Sequence, residues 1–212
     1  MFEDEALDQE LENILNHPAP AYNEKSYWNS RYEKETESFE WYNSWVKLKE
    51  HVAQHINGSG TALNLGCGNS NMTSELLLNG FDKVVGIDFS EVVIGQMRKK
   101  YQLEQKLEWE TGDITKMKFP NNHFDFVFDK ATLDTLVCGD NSNKVIVSLL
   151  KEIARVMKPG GTFILISYGS PTTRKRFFEG TQTGLTLVEF VKVEKQEVSG
   201  AFHYIYVIKK DM

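Results

Sequence analysis

The chain has 212 residues, 41% hydrophobic and 25% charged, with 24 basic and 30 acidic side chains and a formal net charge of −6. A chain of that length buries a sizeable core unaided, so Cys67 and Cys138 do not mark a disulfide scaffold. The lack of net positive charge argues against a protein that lives by phosphate contacts to nucleic acid.

The imbalance is local. Glu3, Asp4, Glu5, Asp8, Glu10 and Glu12 stand in residues 1–16 without a Lys or Arg, and the remaining 24 acidic and 24 basic residues cancel. An acidic start is the opposite of a leader sequence, and no apolar run approaches the ~18 residues of a membrane span. The expectation is a cytoplasmic protein with no membrane or nucleic-acid partner and, as the favoured state, a monomer. Leu7, Leu11, Ile14 and Leu15 predict a short amphipathic helix ending at Pro18. Residues 1–20 therefore read as an acidic extension, suited to steering a basic protein partner, and 21–212 as one domain. Its first part, 21–58, is dense in aromatics and mostly helical in spacing, with a turn around Thr36 to Ser38.

From Thr61 the grammar alternates. Strands are predicted at Thr61–Leu65, Lys83–Ile87, Leu107–Glu110, Phe124–Phe128 and Thr162–Ser167. Helices fall between them at Met72–Leu78, at Glu91–Tyr101 with Ser90 as N-cap, and at Val145–Met157, stopped by Pro159-Gly160-Gly161. That alternation implies parallel pairing through crossovers, an α/β fold with a doubly wound sheet. Leu185–Val193 and Ala201–Lys209 then follow with no helix between them and a turn around Ser199-Gly200, which reads as a C-terminal antiparallel hairpin closing one edge.

The first strand runs into Leu65-Gly66-Cys67-Gly68-Asn69-Ser70 and then a helix. Such a Gly-x-Gly turn is where an open α/β sheet admits a nucleotide, and Asp88, twenty residues beyond Gly68 at the end of the next strand, is placed to take ribose hydroxyls. The third glycine of a dinucleotide fingerprint is missing, since position 71 is Asn. A nucleoside without phosphates makes no demand for it, so the pattern fits S-adenosylmethionine better than NAD. Asp113 with Ile114 follows the third strand, at the adenine edge. The plainer reading of Asp88 and Asp113 is a cap or turn.

With these residues the chain resembles the class I S-adenosylmethionine-dependent methyltransferases over about Tyr27 to Lys210. Tyr27-Trp28 with Arg31-Tyr32, Phe39 to Tyr42, Leu65 to Ser70 and Asp129 to Asp134 look like the methyltransferase-like group that includes the lysine methyltransferases of translation elongation factor 1-alpha. The resemblance implies a mostly parallel, seven-stranded Rossmann-like sheet, S-adenosylmethionine as cofactor and a protein lysine as acceptor. It places Trp28, Tyr32 and Trp41 over the cofactor, Gly66 beneath it, Asp88 and Phe89 at ribose and adenine, Asp113 and Ile114 at the adenine edge, and Lys130 at the methionine end, while the turn itself makes Gly68 a cofactor-binding candidate beside Gly66. Aromatic faces there would attract the sulfonium cation. Two departures stand out. Ala131 occupies a position where Gly is common, a change that ordinary φ/ψ would tolerate, and Pro171-Thr172-Thr173-Arg174 lacks the histidine and aromatic often found after the fifth strand.

Methyl transfer to an amine requires alignment and an uncharged lysine. Asp129, ending the fourth strand, is the first catalytic candidate and Asp134, about a turn further, the second; the plainer reading is an ion pair or cap. Tyr168 could border the acceptor, Cys67 packs beneath its loop, and Arg98-Lys99-Lys100 and Arg174-Lys175-Arg176 read as solvated faces. No histidine stands at a metal-ligand spacing, so no metal is expected. A small-molecule methyltransferase and a non-catalytic cofactor-binding interaction module remain as alternatives.

Overall fold

The computed structural model describes residues 20–139, 141–179, 182–194, 200 and 202–212. The acidic extension with its leucine stripe lies outside them, as does Ser199 in the expected turn. Strands β1 (Thr61–Leu65), β2 (Lys83–Asp88), β3 (Leu107–Thr111), β4 (Phe124–Lys130) and β5 (Met157–Ser167) pair in parallel in the order β3-β2-β1-β4-β5. The sheet continues antiparallel through β7 (Phe202–Lys210) to β6 (Leu185–Glu194) at the edge, so the doubly wound sheet and its C-terminal hairpin are as the sequence indicated. The central strands are buried almost throughout because helices cover both faces, whereas β6 alternates buried or half-buried with exposed positions, as an edge strand does.

One face carries α1 (Lys25–Lys34), α2 (Trp45–Leu48) continuing as a 3-10 turn over Lys49–His55, α3 (Met72–Leu78) and α4 (Glu91–Lys100). Trp45, Leu48, Met72 and Leu76 bury there against Phe81 and Phe128. Ser90 caps α4, its Oγ accepting from the Val93 N–H at 3.4 Å. The other face carries α5 (Thr132–Val137), α6 (Ser142–Val156), α7 (Pro171–Arg174) and α8 (Arg176–Glu179). The α6 stripe of Ile146, Leu149, Leu150, Ile153 and Val156 is fully inside.

Two boundaries differ informatively. Met157 belongs to β5 rather than to α6, because its backbone is already extended (ψ 139°) and it pairs with Phe124 ahead of the Pro-Gly-Gly irregularity. The aromatic-rich segment is less helical than its spacing suggests: α1 ends at Lys34 and residues 35–44 are irregular, with Tyr42 at φ 64°. Its side chains there are committed to long-range partners described below. No helix of the described residues is long and apolar enough to cross a membrane.

From β1 the chain winds outward through β2 and β3, then returns to the other side of β1 for β4 and β5. This reversal opens a crevice between the carboxyl ends of β1 and β4, where Leu65 stands in register with Asp129.

Candidate active site

The floor of the crevice is backbone. Gly66 and Gly68 adopt φ 52° and 50°, a region that L side chains disfavour. A Cβ at Gly66 would collide with the Thr132 side chain, and one at Gly68 would lie 2.7 Å from the Tyr32 hydroxyl oxygen. Cys67, buried between them, donates its N–H to Ile87 O at 3.0 Å. Asp88 locks the loop to the next strand: one carboxylate oxygen accepts the Gly68 N–H (3.0 Å) and the other the Ser90 N–H (2.9 Å). Burial pushes its carboxyl up to about 6 against the pull of those amides. Two amides leave lone pairs over for a diol. Asp113 makes the turn that the plainer reading anticipates, accepting from the Thr115 N–H (2.8 Å) and Oγ (2.7 Å), yet it also borders the crevice beside Ile114 and Phe89.

The roof is α1 and the segment after it. Trp28 donates from Nε1 to Tyr22 O at 2.7 Å and stacks on Tyr32 at 5.7 Å, with Trp41 6.3 Å away. The rings already hold a cation: the Arg31 guanidinium lies 4.8 Å from Phe39, 5.5 Å from Trp41 and 5.6 Å from Trp28, and pairs with Glu35 at 3.0 Å. Glu40 fastens the roof to the floor. Its carboxylate accepts from Ser70 Oγ (2.8 Å), from the Asn71 N–H (2.7 Å) and from the Lys130 ammonium. Asn69 donates to Glu37 O at 2.5 Å, and Ser38 Oγ donates to Asn69 O at 2.8 Å. The Asn and Ser of the glycine-loop motif thus serve the roof.

Between floor and roof lies a cavity of about 340 Å³, bordered by Trp28, Tyr32, Trp41, Gly66, Gly68, Asp88, Phe89, Asp113, Ile114 and Lys130, all the positions assigned to a cofactor from the sequence. Its two cations, Arg31 and Lys130, are each neutralised by a carboxylate, Glu35 and Glu40. A pyrophosphate would find no unpaired positive charge among these described residues. A nucleoside with a cationic centre, ringed by aromatics and facing a buried carboxylate, fits.

The carboxyl end of β4 differs from expectation. Asp129 is fully buried and does not border the cavity; its carboxylate accepts the Thr132 N–H (2.9 Å) and the Leu133 N–H (3.0 Å), capping α5. Burial pushes its carboxyl up to about 8, with the Leu133 amide opposing and the charge of Asp134 adding. Asp134 also lies outside the lining, on the side of α5 facing β5. Ala131 is not in ordinary φ/ψ but at φ 75° in the left-handed region. Thr132 donates to Leu65 O at 3.0 Å, closing the turn onto β1. Arg174, far from forming a solvated face with its basic neighbours, is 3% exposed and pairs with Asp134 at 2.7 Å. Tyr168 is half-exposed and is not among the residues that border the cavity. Sequence reasoning missed Arg31, Glu40, Asn69, Ser70 and Arg174, although the first four lie inside the quoted motifs.

The sheet order, the Gly66–Gly68 turn after β1 and the acidic group ending β2 define the nucleotide-binding crevice of a Rossmann-like α/β fold. A Methyltransferase domain family model matches residues 63–165. EEF1A lysine methyltransferase 4 of Bos taurus is 33% identical over 78% of this chain and 69% of its own length, and that of Mus musculus 30% identical over 88% and 75%. A solved SAM-dependent methyltransferase of Methanosarcina mazei superposes with TM-score 0.61 at 18% identity, covering 76% of this chain and 97% of the other, a likeness of fold. The chain belongs to the methyltransferase family that contains the EEF1A lysine methyltransferases.

Proposed function

We propose that the protein methylates the ε-amine of a lysine in a protein substrate, with translation elongation factor 1-alpha as that substrate, in the cytoplasm. The observation that carries the reading is the roofed cavity with paired cations, in a chain whose curated relatives bear lysine methyltransferase names. S-adenosylmethionine, when bound, supplies an electrophilic methyl on a sulfonium sulfur with a neutral thioether as leaving group. Asp88 accepts from the ribose hydroxyls, Gly66 and Gly68 leave room above the loop, and Phe89, Asp113 and Ile114 hold the adenine. Trp28, Tyr32, Trp41 and Lys130 enclose the methionine end.

An ammonium has no lone pair, so the incoming lysine must enter uncharged. The apolar and aromatic lining lowers a lysine pKa by desolvation, and the proton leaves to water before transfer. Alignment of amine and methyl inside a walled cavity then supplies much of the rate. Asp129 and Asp134, both turned away from the cavity, act by fixing α5 and the turn before it rather than by taking the proton.

Purified enzyme incubated with methyl-labelled S-adenosylmethionine and elongation factor 1-alpha should yield labelled methyl-lysine after hydrolysis of that protein. In a whole-cell lysate the same label should fall on one band of matching size. Label confined to the small-molecule fraction, or cofactor binding without transfer, would overturn the reading.

A further inference from the structure

Four elements meet on one carboxylate that the cavity does not include. Asp134 accepts from the Tyr42 hydroxyl of the roof (2.5 Å), from Ser167 Oγ at the end of β5, from the Tyr168 N–H (3.1 Å) and from Arg174 Nη2 (2.7 Å). Arg174 also donates from Nε to Ser167 Oγ at 3.0 Å. Its guanidinium lies so close to Gly169 that a Cβ there would collide with it. The two charged side chains are 4% and 6% exposed.

A buried ion pair is a poor way to stabilise a fold, because apolar residues of similar volume do as well or better. This one is better explained by what it holds in register. Thr132, Thr135 and Leu136 of α5 border the cavity, so fixing Asp134 fixes that wall. Tyr168 and Gly169 leave β5 at the carboxyl edge of the sheet, the side on which such folds meet their ligands. The Tyr168 ring is 51% exposed and sits 5.6 Å from the Arg174 guanidinium, an aromatic presented to solvent on a rigid support.

We propose that Arg174 is a positioning residue for the protein acceptor. Through Asp134 it sets the segment from Tyr168 to Arg174 and the roof residue Tyr42 in one arrangement, so that the acceptor surface and the cofactor roof are placed together. The inference rests on the protein-methylation reading above.

The test is Arg174→Met, which keeps an unbranched apolar stem and removes the guanidinium donors. KM for the protein acceptor should rise tenfold or more, and Kd for S-adenosylhomocysteine by calorimetry by a clearly smaller factor, because the floor of the cavity is untouched. The Tyr168 and Gly169 amides, held by Asp134 and by Ser167 Oγ, should exchange with deuterium at least tenfold faster. Arg174→Lys, still able to reach one carboxylate oxygen, should recover part of the KM. An unchanged KM, or cofactor affinity that falls in step with it, overturns the proposal. If Arg174→Met does not fold, Tyr42→Phe removes a single hydroxyl from the same carboxylate; raised KM with faster exchange supports the proposal, and an unchanged KM or unchanged exchange overturns it. A wild-type enzyme that methylates no protein overturns the methylation reading and this inference together, whereas an active wild type beside indifferent variants overturns this inference alone.

Discussion

The floor and the roof of the cavity are built by different means. The floor, from Gly66 to Ser70 with Asp88 and Gly112 to Ile114, comes from the ends of three adjacent strands whose register is fixed by main-chain hydrogen bonds. The roof is one helix and an irregular segment, fastened by side chains that converge on Asn69, Ser70, Asn71 and Lys130. A floor of that kind is as stable as the sheet. A roof of that kind depends on a few contacts, each of which a single substitution can remove, so it is the element expected to open locally at lower cost.

Asp88→Ala should then have the largest effect, because it removes the charged acceptor of the loop, which is also the one proposed for the ribose. We expect Kd for S-adenosylhomocysteine to rise about 100-fold, on the order of 2–3 kcal/mol for hydrogen bonds to a charged group. Glu40→Gln should cost about tenfold in the same calorimetric assay. It leaves the Lys130 ammonium buried beside a neutral amide, a stability loss on the order of 2 kcal/mol, held below that of a fully buried pair because Glu40 keeps 23% of its side chain exposed. Equal losses from the two variants would show that the roof binds as strongly as the floor, and the contrast would fall.

Acid should separate the two regions again. Burial raises the Asp88 carboxyl to about 6, so the ionised form proposed to accept ribose hydroxyls is lost as pH falls through that value. Affinity at pH 5 should be about tenfold weaker than at pH 7.5 by titration, and Asp88→Asn should abolish the difference. The effect of the same group on folding has the opposite sign. A carboxyl raised above its unfolded value near 3.9 binds its proton more tightly in the folded chain, so its contribution favours the fold at low pH and is lost as pH rises from about 4 to 6. Ligand affinity and the stability contributed by this one residue therefore move in opposite directions over that window.

The floor was legible because its chemistry is local or carried by strand spacing. Gly66, Gly68 and Asp88 announce themselves by a strand, a turn and an interval that the parallel register makes meaningful. Glu40 and Arg174 were not, since their partners lie far along the chain and nothing in their neighbours requires them. Arg174 sits in a basic run, and it turns inward only because Gly169, at the end of β5, leaves room for its guanidinium. Asp129 was correctly read as ending β4, but its position beside the start of α5 made it a cap, the plainer of the two readings. Asp134 was read as the second catalytic candidate, but its carboxylate faces β5 and Arg174 rather than the cavity, because a side chain one turn into a helix gives no sign of which side of that helix meets the ligand.

Ala131 tests the contrast at its smallest scale, in the turn where floor and roof share Lys130. The chain there is left-handed at φ 75°, held by the Asp129 carboxylate on the amides of Thr132 and Leu133 and by Thr132 Oγ on Leu65 O. An alanine in that region costs roughly 1–2 kcal/mol that a glycine does not. Glycine in turn gives the unfolded chain more freedom, worth about 0.4–1 kcal/mol against folding. Ala131→Gly should therefore stabilise by about 0.5–1 kcal/mol, raising Tm by roughly 1–4 °C for a chain of this size by scanning calorimetry, with cofactor affinity unchanged within about twofold. A rise in Tm means that contacts from β1 and α5 force an unwilling residue into the bend, as side chains force the roof into place. A fall would mean that the bend relaxes toward ordinary φ/ψ when its alanine is kept, and that this corner, like the glycine loop, takes its shape from its own local sequence.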